Sequence, residues 1–334
     1  MADPATFYLG DVKLQSGATL RSAQITYTTH GELNAAGDNA VVFPTYYTGR
    51  HDSNEWLIAE GMALDPRRYF VIVPNMFGNG LSTSPSRAAP DQSGPRFPPV
   101  TIADNIRCQH RLVTSLGVRR LALAVGYSMG ALQAYEWACA FPDVVERLAP
   151  ICGAARVSPH NYVMLAGVKA ALTASNDFRD GDYAAPPSRG LAAFARVYAG
   201  WLFSQAFYRE RLFAAFGFDT PEAFLAGFAE PYFGAWDAND LLAKLLTWQR
   251  GDISAERHGG DLAAALRSIK AKTLALPCET DLYFRPEDNE AEAAYISGAS
   301  CRRIPSIWGH AAGGGINAED GAFINAALVE LLAS

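Results

Sequence analysis

Short apolar runs alternate along the chain with stretches in which apolar residues recur at helical spacing. The runs at residues 25–28, 40–43, 70–74, 121–126, 147–151, 273–278 and 301–305 read as strands. Between them, residues 55–63, 101–116, 131–141, 286–297 and 320–332 carry helical patterns. Strands that are apolar throughout have no solvent face. Their alternation with helices therefore predicts an α/β fold, a mostly parallel sheet with helices on both faces. The alternation stops between residues 156 and 267. That stretch holds helical patterns at 191–207 and 240–249 and a loop at 181–187, but no strand pattern. It reads as an inserted helical lid (156–267) on a core formed by residues 1–155 and 268–334.

Composition narrows the choices. A chain of 334 residues, 49% hydrophobic and 19% charged, is long enough for one substantial core carrying an insertion. A net charge of -6 lacks the basic excess that a nucleic-acid partner would call for. The five cysteines, Cys108, Cys139, Cys152, Cys278 and Cys301, are odd in number, form no Cys-x-x-Cys and sit mostly in apolar segments. They read as buried free thiols in a reducing compartment. No two histidines stand at ligand spacing, so no metal is expected. Met1-Ala2-Asp3-Pro4-Ala5 lacks a basic start followed by an apolar stretch, and no apolar run is long enough to cross a bilayer. A cytoplasmic protein that does not engage a membrane is the expectation.

The chemistry is carried by Gly126-Tyr127-Ser128-Met129-Gly130, which joins the run at 121–126 to the helical pattern that follows. Gly-x-Ser-x-Gly between strand and helix holds the serine hydroxyl above the sheet on a sharp turn. A serine is a weak nucleophile without a base, so the motif calls for a histidine and an acid. Two later strands supply them: Asp281 follows the run at 273–278, and His310 follows the run at 301–305. All three lie where loops leave the carboxyl ends of strands. Glu279 competes for the acid role, but it stands too close to its strand to curl over the histidine. An oxyanion hole needs the N–H of Met129 and a second N–H from the loop at 44–49, which contains Tyr46 and Tyr47. Gly78-Asn79-Gly80 lacks the third glycine and the following helix of a dinucleotide site, and no cofactor is needed.

With these motifs the chain resembles the homoserine O-acetyltransferase family of α/β-hydrolases. The resemblance rests on residues 75–85 (Asn-Met-Phe-Gly-Asn-Gly-Leu-Ser-Thr-Ser-Pro), on Ser128-Met129-Gly130-Ala131-Leu132-Gln133, on lid stretches from Gly181 to Arg196, and on Trp236-Asp237-Ala238-Asn239-Asp240. It implies that Tyr47 supplies the second oxyanion amide, that Arg196 meets a substrate carboxylate, and that two copies pair through their lids. Two positions depart from the transferase pattern. Ala311 stands where an aspartate would meet an ammonium group, and Phe203 stands where a lid tyrosine would fall. Phe194, Tyr198, Trp201, Phe203 and Phe207 also give the lid an aromatic stripe. The expectation is a serine hydrolase of small acyl esters, acetates first, with Arg196, Tyr46 and Phe203 as candidate substrate contacts. The alternatives are an acyl-CoA-dependent O-acyltransferase working through the same acyl-enzyme, and a binding protein on an inactive hydrolase fold.

Overall fold

The computed structural model describes residues 3–334, so the first two residues of the terminal stretch searched for a leader lie outside it. Eight strands form one sheet: β1 (Ala5–Lys13), β2 (Thr19–His30), β3 (Ala40–Val42), β4 (Phe70–Pro74), β5 (Leu121–Tyr127), β6 (Arg147–Ile151), β7 (Lys272–Ala275) and β8 (Ser300–Cys301). Their order is β1-β2-β4-β3-β5-β6-β7-β8. Pairing from β4 through β8 is parallel; β2 runs antiparallel to both β1 and β4. This is the mostly parallel sheet of an α/β-hydrolase fold.

The central strands are buried on both sides because successive residues serve different cores. Val41, Val71, Val73, Leu123 and Val125 pack with Ile324, Leu328 and Leu331 on one face. Val42, Ile72, Leu121, Ala124 and Leu148 pack with Ile106, Leu132 and Trp137 on the other. The helices that close these faces include α1 (Ile102–Ser115) and α2 (Met129–Ala140), with α10 (Pro286–Ala293) and α11 (Ala318–Leu332) near the end of the chain. Helix α1 begins at a capping box, in which the Thr101 hydroxyl takes the Asp104 N–H and the Asp104 carboxylate takes the Thr101 N–H.

Between β6 and β7 the chain forms α3 (Pro159–Thr173), α4 (Ser188–Leu202), α5 (Gln205–Arg209), α6 (Pro221–Phe224), α7 (Glu230–Gly234), α8 (Ala238–Gln249) and α9 (Leu262–Ser268). Helix α9, which the sequence pattern groups with the insertion, packs against α2 and α10 beside the sheet.

Other departures from the sequence pattern have local causes. Strand β1 and the start of β2 were not legible because irregular register around Gly10 interrupts their alternation. Residues 55–63 do not form the expected helix. A 3-10 segment, His51–Leu57, is followed by turns built on the Asp65 carboxylate, which accepts the Gly61 and Arg67 N–H groups. The helix expected over 191–207 breaks at Phe203, because Ser204 caps a new helix by accepting the Phe207 N–H at 3.0 Å.

A buried polar chain ties α1 and α2 to the loop after β3. Trp137 Nε1 donates to Gln109 at 3.0 Å, Gln109 donates to Gln133 at 2.7 Å, and Gln133 donates to the Thr45 carbonyl at 2.8 Å. Gln109→Leu strands the Trp137 donor and a Gln133 acceptor in the core. The expected loss is about 1–3 kcal/mol for each unsatisfied group, read as a lower midpoint in urea unfolding. Trp137→Phe in the same background should recover part of it.

Candidate active site

Ser128 turns the chain from β5 into α2 at φ 58°, ψ -123°, a conformation L-residues avoid. The turn closes only because its neighbours lack side chains. A Cβ on Gly126 would lie 2.0 Å from the Gly130 carbonyl oxygen, and one on Gly130 would lie 2.7 Å from that of Pro44. The Ser128 N–H donates to Ile151 at the end of β6 at 2.9 Å, and its carbonyl accepts from Ala131 at 2.9 Å. The turn is thus fastened to both the sheet and the helix.

The three residues singled out from the sequence meet here. Ser128 Oγ lies 2.8 Å from His310 Nε2, and His310 Nδ1 lies 2.6 Å from Asp281 Oδ2. Serine, histidine and aspartate are all buried, with Asp281 fully so. The other Asp281 oxygen accepts the Tyr283 and Phe284 N–H groups at 3.0 Å each. An ionised carboxylate only accepts, so Asp281 fixes the proton on Nδ1 and leaves the Nε2 lone pair to the serine hydroxyl. Glu279 is exposed and makes no bond to the imidazole.

Two flanking loops complete the site. The Met129 N–H opens α2, and among the described residues no acceptor takes it or the N–H of Tyr46 or Tyr47. These donors are free for a ligand oxygen. The cavity over Ser128 has about 690 Å³ of empty space including its open mouth. Tyr46, Tyr47, Tyr198, Phe203, Phe233 and Ala311 are among its walls, and none of its lining residues is Asp, Glu, Lys or Arg. The Thr48 hydroxyl accepts from Tyr232 of α7 at 2.7 Å, and both residues line the cavity. Burial pushes the phenols of Tyr46, Tyr127 and Tyr198 above their ordinary range, keeping these rings neutral.

Tyr46, Tyr47 and Phe203 therefore line the cavity, as does Tyr198 from the aromatic stripe. Phe194 and Phe207 are buried within the lid packing, and Trp201 lies against His160 at 5.2 Å between centroids. Arg196 is a correction. It is exposed, bound to Glu222 at 2.8 Å and to Glu230 at 2.6 Å, and is not among the residues lining the cavity. Two carboxylates already occupy the guanidinium that was expected to receive one from the substrate.

Tyr127 was missed. Its ring stacks on His310 at 4.9 Å between centroids, and its hydroxyl donates to the His310 carbonyl at 3.0 Å. Room for it comes from Gly313, where a Cβ would come within 2.7 Å of the ring. The glycine run after the histidine was the available clue: it admits a large side chain from the serine turn.

A family model for the alpha/beta hydrolase fold matches residues 40–312, and the chain belongs to that family. It is an esterase-type member of the group that resembles homoserine O-acetyltransferases, an enzyme of the serine esterase and acyltransferase class. It is 40% identical over 333 residues to an ethyl acetate hydrolase of Pseudomonas veronii, covering 98% of this chain and 94% of that protein. Its structure matches that of the acetyl esterase MekB with a TM-score of 0.97 and 38% identity, over 99% of this chain and 97% of that one. Identity to a homoserine O-acetyltransferase of Trichormus variabilis is 29% over 311 residues, covering 89% of this chain and 86% of that protein.

The geometry separates the two candidate acids. Asp281→Asn should lower kcat by about 10⁴-fold, because an amide no longer holds the productive tautomer, while thermal unfolding shifts little. Glu279→Gln should stay within about threefold of the parent, as expected for an exposed surface substitution. Steady-state kinetics on a chromogenic acetate checks the ranking.

Proposed function

We propose that the chain hydrolyses small carboxylic esters, acetates foremost, through an acyl-enzyme on Ser128. The observation that carries this reading is the Ser128–His310–Asp281 hydrogen-bonded chain opening into a cavity without a charged wall. Ser128 Oγ attacks the ester carbonyl as His310 Nε2 takes its proton, and Asp281 stabilises the resulting imidazolium. The Met129 and Tyr47 N–H groups receive the negative oxygen of the tetrahedral intermediate. Collapse expels the alcohol, which takes the proton from His310. Water enters, gives a proton to His310 and attacks the acyl carbon; the second collapse releases the acid and restores Ser128. The ethyl acetate hydrolase and acetyl esterase among the relatives support acetate as the acyl group.

The same cavity disfavours homoserine as acceptor. Ala311 and Phe203 are buried apolar walls, and Arg196 is held by Glu222 and Glu230. A zwitterion would enter without partners for either charge, at a cost of several kcal/mol. Residues 156–267 serve in this reading as the lid, with 159–249 over the cavity. In this reading two copies pair through the lid, whose exposed apolar side chains include Tyr162 and Val163 on α3 and Val197 on α4. Four buried free thiols support a reducing, cytoplasmic setting.

Ser128→Ala should abolish ester turnover, by about 10⁴-fold or more, with the unfolding transition preserved. A serine-directed phosphonate should label the parent at Ser128 alone, and a variant keeping a tenth of the activity would exclude the acyl-enzyme. In buffer containing millimolar homoserine, acetate should remain the main product from aryl acetate. A majority of O-acetylhomoserine, with acetyl-CoA as an efficient donor, would make the protein a transferase.

A further inference from the structure

Lys244 of α8 is fully buried, at 0% exposure, and the steps above make no use of it. An ammonium is among the costliest groups to remove from water. Leu241 and Leu245 of the same helix are ordinary apolar core, so nothing in the packing of α8 requires a charge there. Its contacts lead elsewhere. Nζ donates to the Tyr47 carbonyl at 2.6 Å, and lies 3.9 Å from the Trp236 ring centroid and 5.3 Å from that of Tyr47. Burial holds the ammonium below its ordinary pKa, while Asp240 opposes this and Arg50 adds to it. The Asp240 carboxylate is itself bound to the backbone and hydroxyl of Ser86 at 2.9 and 2.7 Å.

Tyr47 is held from the lid at three points. Lys244 grips its carbonyl, its hydroxyl donates to the Leu241 carbonyl at 3.0 Å, and its ring stacks on Tyr198 of α4 at 5.9 Å between centroids. The next residue, Thr48, is held by Tyr232. Every one of these holding groups comes from the helical insertion, whereas the loop they hold leaves the sheet.

We infer that Lys244 is a positioning residue for the oxyanion hole: by anchoring the Tyr47 carbonyl it fixes the backbone of Tyr47 and so the aim of the Tyr47 N–H over Ser128. This rests on the oxyanion role given to Tyr47 above. The lysine touches no reacting atom and works through the direction of one dipole, the kind of preorganisation that stabilises a developing oxyanion.

Lys244→Met keeps the apolar stem and removes the donor. The expected result with phenyl acetate is a kcat loss of about 10–100-fold with KM nearly unchanged, read on a variant whose cooperative unfolding transition shows that it is folded. Lys244→Gln, a shorter neutral donor, should lose less. The decisive comparison uses the thiono analogue of the same ester, whose sulfur is a poor hydrogen-bond acceptor. A role through the oxyanion predicts that the variant loses mainly its oxygen-ester activity, so that the oxygen-to-sulfur rate ratio falls. Equal losses on both esters in a folded variant, or a kcat matching the parent, would overturn it. If the methionine variant does not fold, the same ratio in Lys244→Leu, which also lacks a donor, decides: a lowered ratio supports the role and the parental ratio overturns it. Ser128→Ala run alongside keeps the readings apart. Its inactivity beside a fully active Lys244→Met removes only the lysine's role, whereas its retained activity removes the acyl-enzyme reading beneath it.

Discussion

The structure depends on one backbone constraint, the left-handed turn at Ser128. Holding an L-residue there costs of order 1–3 kcal/mol, and the surrounding packing supplies the compensation. Three glycines clear the space: Gly126 and Gly130 against each other and the loop after β3, and Gly153 against the side chain of Ala131. The end of β6 receives the serine N–H, and the first turn of α2 bonds its carbonyl. The serine hydroxyl is thereby placed by rigid elements before any ligand arrives, and the free N–H at the start of α2 comes with the same turn.

Around that point, the Asp281 carboxylate is committed on both oxygens. Asp281 has one oxygen on two backbone amides and the other on His310. The imidazole is enclosed by Tyr283, Tyr127 and Phe284 at 4.4, 4.9 and 5.5 Å between centroids. In such surroundings the aspartate–imidazolium attraction is screened much less than in water, and aromatic faces favour a passing positive charge on the ring. The histidine loop is also fixed from outside, since Ser204, at the break between α4 and α5, donates to the Ile307 carbonyl. The lid kink that interrupts the expected long helix therefore has a task at the site.

What could be read along the chain was what local chemistry constrains. The Gly-x-Ser-x-Gly turn needs its glycines at fixed offsets, and Ser128, Asp281 and His310 each follow a run read as a strand, so elbow, order and most of the sheet were visible, although the run at 301–305 forms strand only over Ser300–Cys301. What could not be read depends on partners brought from far along the chain. Arg196 looked available because Glu222 and Glu230 lie 26 and 34 residues away with no pattern to announce them. Tyr127 occupied a position the motif leaves open, and its importance depends on a glycine pair nearly two hundred residues on. Lys244, in Leu-Leu-Ala-Lys-Leu-Leu, reads as the polar edge of an amphipathic helix. Only the packing of α8 against the loop after β3 buries it.

The hydrogen bond between Tyr232 and Thr48 has a consequence for selectivity. Both residues line the cavity, and the bond restrains the loop to which the proposed function gives the negative oxygen. In the proposed function, an ester bulky enough to part these two side chains would also loosen the loop that its own transition state requires. Size discrimination is then exercised twice, once at admission and again in the chemical step.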